Sequence, residues 1–208
     1  MKEVFIYTRF ERFWHWCQAA LIIFLAFTGF EIHGSFKLFG FDKAVSFHRT
    51  AAYILLGLIA FSIFWHFTTG GWKHYIPTSR KLVAQLRYYL SGMFKGEDHP
   101  VKRTELSKLN PLQRLVYLGL KLIIIPVMVI SGLLYMFYGT LGISGIIGDV
   151  ELKSIATLHV LGAFVMLSFL VVHIYMTTTG RTPLSNIKAM LTSYEEIEEE
   201  DKGQISIK

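Results

Sequence analysis

Ser154–Gly180 reads SIATLHVLGAFVMLSFLVVHIYMTTTG, with no Asp, Glu, Lys or Arg and with histidines at positions 159 and 173. The run exceeds the ~20 apolar residues that a helix needs to cross a bilayer. It reads as a membrane span. On a helix of 3.6 residues per turn, 14 residues advance about 1,400°, some ~40° short of four full turns. His159 and His173 therefore share a face, about 21 Å apart along the axis. Ionisable side chains at such depth are costly and point to function.

Three further stretches have the same character. Phe13–Phe30 and Thr50–Trp72 carry no formal charge, and the third runs from near Leu112 to Phe137 with Lys121 inside it. With their flanks, the spans are predicted over residues 13–32, 48–69, 112–138 and 154–179. The fold class is all-α: a membrane-embedded four-helix bundle occupying residues 1–192. The first span is long for a signal-peptide core and lacks a small-residue cleavage site. Between the second and third spans, Lys81–Leu90 spaces its apolar residues three to four apart, which predicts a short amphipathic helix at the interface. Residues 193–208 form an acidic tail with six carboxylates in Glu195–Asp201, expected to be solvated or to end a docking helix.

Composition agrees. Of 208 residues, 52% are hydrophobic and 17% are charged, against about 25% charged in an average soluble domain. Disorder, which requires low hydrophobicity, is excluded. The net charge of +6 does not point to nucleic acid, because the basic residues lie between apolar runs. Lys and Arg crowd the N-terminal segment, the 70–111 loop and the C-terminal segment. The other two loops hold only Lys37, Lys43, Arg49 and Lys153. The positive-inside rule therefore predicts both termini and the long loop in the cytoplasm. Cys17 is the single cysteine, so no intramolecular disulfide, Cys-ligated iron–sulfur cluster or C-x-x-C-H haem attachment can form.

Five of eight histidines, at 15, 48, 66, 159 and 173, lie in spans or at their edges. His48 and His66 are 18 residues apart, five full turns, and share a face. With the predicted orientation, His48 and His159 fall in an outer layer, and His15 and His173 in an inner one. Each layer offers imidazoles from two helices, and a bundle core can clamp a b-type haem between such a pair. Two haem b groups are expected. Gly29, Gly57 and Gly162 would leave room for a flat macrocycle. His66 lies at the inner depth, as an alternative ligand to His15 or as a supporting donor; spacing leaves this open. A metal transporter would gather carboxylates with its histidines, and no Asp or Glu occurs within 13–30, 50–72, 112–137 or 154–180. Arg9, Arg12, Arg49 and Arg181 sit at span ends, where haem propionates could pair with them.

These residues carry a resemblance. The chain resembles the integral-membrane di-haem cytochrome b subunits of respiratory formate dehydrogenases, nickel–iron hydrogenases and thiosulfate reductases, the bacterial cytochrome b561-like family. It does so through Arg9-Phe-Glu-Arg12-Phe-Trp-His15-Trp16, Phe47-His48-Arg49, Leu158-His159 and Val172-His173, with Gly71-Trp72, Pro77 and Asn110-Pro-Leu-Gln113 beside them. The resemblance covers about residues 8–192. It implies that His15 pairs with His173 and His48 with His159, and that His66 supports rather than ligates. It also implies a quinone, menaquinone or ubiquinone, near the inner haem, with Asn110, Gln113 and His173 at its site. Asn110 followed by Pro111 equally suits a helix cap.

The expected role is electron transfer in the bacterial inner membrane, between a periplasmic-side redox subunit and the quinone pool at the cytoplasmic side. That subunit could be an iron–sulfur protein, a hydrogenase, a molybdenum enzyme or a multihaem cytochrome. The chain itself offers no site for oxidising a primary substrate. The rival readings are a stand-alone b561-type quinol oxidoreductase and a non-redox anchor or metal transporter.

Overall fold

The computed structural model describes residues 2–78, 81–92, 95–97, 100, 109–143, 150–180 and 182–197. Four helices are long and apolar enough to cross a membrane: α1 (Arg9–Ile32), α2 (Phe41–Thr69), α4 (Pro111–Met136) and α6 (Leu152–Thr177). The chain is an all-α membrane helical bundle. Shorter elements are α3 (Leu82–Arg87), which ends in a π turn at Tyr88–Gly92, together with α5 (Tyr138–Ile143) and α7 (Ser185–Thr192). The described residues divide into two compact units, one of Met1–Cys17, Phe61–Leu118 and Tyr175–Lys208, the other of Gln18–Ala60 and Gly119–Ile174.

The spans begin earlier than hydropathy predicts, because polar residues outside the apolar runs cap them. The Thr8 N–H donates to Glu11 Oε2 (2.7 Å), and the Glu11 N–H to Thr8 Oγ1 (3.2 Å). This reciprocal capping box starts α1 at Arg9 rather than at 13. Asn110 and Gln113 repeat the device ahead of α4, with the Gln113 N–H on Asn110 Oδ1 (2.8 Å) and the Asn110 N–H on Gln113 Oε1 (3.0 Å). Pro111 takes the first helical position, where a missing N–H costs nothing.

The start of α2 at Phe41, against an expected 48, has a different cause. Glu31, buried at the end of α1, accepts the N–H groups of Leu38, Phe39 and Gly40 on Oε1 at 2.8, 2.7 and 2.8 Å. One carboxylate thus fixes the connecting loop. Gly34 (φ 86°) and Gly40 (φ 85°) take the left-handed turns at the two ends of that loop.

Inside α4, the helix widens to a π turn over Leu120–Ile124. The proline ring of Pro126 has no N–H to give and crowds the carbonyl four residues back, and a widened turn just before it relieves both.

One feature lies outside the helical expectation. Lys2–Phe5 (β1) and Tyr194–Ile197 (β2) pair as an antiparallel ribbon. Val4 and Ile6 are buried, and the Phe5 and Tyr194 rings meet edge-on at 5.7 Å. Ser193, at φ 81°, turns the chain out of α7, and its carbonyl accepts the Ile6 N–H at 2.8 Å. The first residues of the expected solvated tail are therefore a strand. Residues 198–208 lie outside the described residues.

Removing the Glu31 acceptor leaves three backbone donors without it, and each buried donor so orphaned costs about 1–3 kcal/mol. Glu31→Ala should lower the thermal unfolding midpoint of the detergent-purified protein. Glu31→Gln keeps an oxygen acceptor and should lose less. Equal losses from the two variants would show that the carboxylate does not organise the loop.

Candidate functional site

In the unit formed by Gln18–Ala60 and Gly119–Ile174, His48 of α2 and His159 of α6 face each other with ring centroids 6.3 Å apart and planes at 76°. Each ring is held through Nδ1 by a hydroxyl from a different span. Thr28 Oγ1 of α1 lies 3.0 Å from His48 Nδ1, and Ser131 Oγ of α4 lies 3.0 Å from His159 Nδ1. Both hydroxyl residues are fully buried, at 0% and 1% exposed.

A hydroxyl has one proton to give. The proton of Thr28 goes to the Phe24 carbonyl (2.9 Å), and that of Ser131 to the Val127 carbonyl (2.6 Å), each one turn back on its own helix. In that arrangement the lone pairs face the imidazoles, and both histidines donate from Nδ1–H. Nε2 is then the bare, metal-ready nitrogen on each ring.

Each hydroxyl residue is followed by glycine. A Cβ added at Gly29 would lie 3.5 Å from His48 Cε1, and one at Gly132 would lie 3.1 Å from His159 Cε1. The second is tighter than side chains normally pack, so Gly132 lets His159 sit against the α4 backbone. Two spans supply histidine and the other two supply a hydroxyl–glycine dipeptide.

The pair suits a haem iron. Two imidazoles bound through Nε2 to one metal at about 2 Å have ring centres about 6 Å apart, in agreement with the observed separation. Among the described residues no three His, Cys, Asp or Glu side chains converge as a metal site. A two-histidine site is complete only for a metal that brings its remaining ligands with it, as a porphyrin does.

The other histidines have different surroundings. His66 donates from Nδ1 to the Ser62 carbonyl (2.7 Å) and packs against Trp14 and Tyr75, at 5.7 and 5.6 Å between ring centres. Burial, with the Glu11 carboxylate adding to it, pushes the Tyr75 phenol above its ordinary pKa. His15 meets Trp16 edge-on at 5.1 Å, and its Nδ1 is buried. His173 stacks on Phe169, with ring centres 5.8 Å apart and planes at 13°. His15 belongs to one compact unit and His173 to the other.

The remaining sequence candidates fall in several places. Arg12 donates from Nη1 to the Leu191 carbonyl, and Trp16 Nε1 donates to the Met190 carbonyl (3.3 Å), so together they close the C-terminal end of α7. Arg9 and Arg49 are exposed, and Arg181 lies outside the described residues. Asn110 is buried and, besides its capping role, donates from Nδ2 to the Tyr89 hydroxyl at 2.9 Å. Of the glycines expected to make room for a macrocycle, Gly29 seats His48. A Cβ at Gly162 would meet Met128 Sδ at 2.6 Å, so this glycine serves close packing of α6 on α4, and one at Gly57 would meet nothing within 4 Å.

Thr28, Ser131 and Gly132 were not legible as site residues from histidine spacing alone. The signal available was the pair of hydroxyl–glycine dipeptides in the apolar interiors of the two spans that lack the paired histidines.

Comparison with known proteins gives the family. Residues 6–193 match the prokaryotic cytochrome b561 family. The chain is 30% identical over 200 residues to "Putative cytochrome YdhU" of Escherichia coli (strain K12), covering 93% of this chain and 75% of that protein. No solved structure matches the chain significantly. The chain belongs to the prokaryotic cytochrome b561 family and is a multi-pass membrane electron-transfer protein that binds haem b.

Proposed function

We propose that the chain carries electrons across the bacterial inner membrane through two b haems, linking a periplasmic-side redox partner to the quinone pool at the cytoplasmic side. The observation that carries this reading is the His48–His159 pair, with ring centres 6.3 Å apart and each Nδ1 3.0 Å from a buried hydroxyl. When bound, haem supplies a one-electron ferric/ferrous couple. The chain's own residues would hold and orient it: His48 and His159 as iron ligands, Thr28 and Ser131 as acceptors behind them, and Gly132 as clearance.

The second haem falls to His15 and His173 by their spacing and by the family resemblance, with His66 supporting that region from its place between Trp14 and Tyr75. Arg9, Arg12, Arg49 and Arg181 stand near span ends as partners for propionates. The distribution of Lys and Arg supports an orientation with both termini in the cytoplasm. In that orientation His48 and His159 lie toward the periplasm, where a redox partner would dock. Asn110 and Gln113 mark the cytoplasmic start of α4 and, with His173, form the proposed quinone site. There the Tyr89 hydroxyl, bonded to Asn110, orients the amide.

The purified protein should contain two haems per chain and show the sharp reduced α band of bis-histidine b haem. A colourless preparation would sink the reading. His48→Ala and His159→Ala should each lose one and the same haem, and His15→Ala and His173→Ala the other. His66→Ala should retain both. Loss of different haems within either pair would refute the pairing. Mass spectrometry of the complex isolated from native membranes identifies the redox partner, and quinol turnover by the isolated chain would replace it with the stand-alone reading.

Gly132→Val should abolish binding of the haem held by His48 and His159 while leaving the second in place, because its side chain enters the space of the His159 ring. Retention of both haems at the unaltered haem-to-protein ratio would show that the glycine does not seat the histidine.

A further inference from the structure

We propose that Thr28 and Ser131 are positioning residues that set the reduction potential of the haem held by His48 and His159, an inference that rests on the haem reading above. The two hydroxyls come from different helices, α1 and α4, yet they make the same arrangement. Each gives its proton to a carbonyl of its own helix and takes the Nδ1–H of a histidine from another helix at 3.0 Å. Neither can turn around to donate to the ring without abandoning that carbonyl.

The consequence is directional. An acceptor on Nδ1–H draws the proton outward and makes Nε2 a stronger electron donor. A stronger donor favours the ferric over the ferrous state and holds the potential down. Both axial ligands are biased the same way, so the effects should sum. Thr28 and Ser131 are buried at 0% and 1% exposed. Water therefore does not reach either hydroxyl.

The experiment is an optical redox titration of the whole purified protein, resolving its two one-electron steps. Thr28→Val removes the hydroxyl at nearly constant shape, Ser131→Ala removes it outright, and Thr28→Ser retains it. Thr28→Val and Ser131→Ala should each raise the potential of one and the same haem. A tenfold change in the ferrous-to-ferric ratio is about 59 mV for one electron, and each single variant should shift by up to that amount. The double variant should shift further, the other haem should stay in place, and Thr28→Ser should match the unaltered protein.

An unmoved potential with both haems bound would overturn the proposal, as would shifts in different haems. Should Thr28→Val and Thr28→Ser lose haem alike, Thr28 is a packing residue and the proposal fails for it; Ser131→Ala then decides for the α4 side. Absence of haem from the unaltered protein would instead overturn the underlying haem reading.

Discussion

Hydrocarbon offers no hydrogen bonds, so every imidazole nitrogen placed within a membrane span must find its partner in the protein itself. That constraint shapes the site more than any other. A neutral histidine has one donor and one acceptor nitrogen. Satisfying the donor with a lone pair from Thr28 or Ser131 leaves the acceptor bare and in need of a positive centre. Under the haem reading proposed above, an iron would meet that need.

The same constraint governs the helix ends. Thr8 with Glu11, Glu31 with Leu38, Phe39 and Gly40, and Asn110 with Gln113 each supply acceptors to backbone donors that a helix start leaves over. These polar residues lie just outside the apolar runs. They lengthen the helices beyond the hydrophobic stretch and fix where each one begins. Glu31 thus ties the end of α1 to the loop that leads into α2, the helix that carries His48.

Much of this was readable before any coordinates. Four long apolar runs, three of them without a formal charge, marked the spans, and the 14-residue interval between His159 and His173 put both on one face of one helix. Depth put His48 and His159 in one layer, and their rings lie 6.3 Å apart. What escaped had local or distant causes. The Thr28 and Ser131 hydroxyls are ordinary small residues in an apolar helix, and only the direction of their hydrogen bonds marks them. The extra turns of α1 and α2 depended on carboxylates that hydropathy reads as boundaries. The β1–β2 ribbon could not be seen because its two halves lie at opposite ends of the sequence, and neither has a hairpin turn to announce it. Arg12, legible as a basic residue at a span end, turned out to close α7 through the Leu191 carbonyl.

That ribbon carries a topological and temporal meaning of its own. Lys2–Phe5 can pair with Tyr194–Ile197 only when both segments stand on one face of the membrane, so the pairing demands an even number of crossings, whatever the charges of the loops. It also cannot form during early synthesis, because its second strand emerges only after the last span has been made. The first strand leaves the ribosome and waits, unpaired, until every helix is threaded. Closure of the ribbon therefore follows the making of α1, α2, α4 and α6, and a chain with one of these inserted the wrong way round would have the two strands held apart by the bilayer.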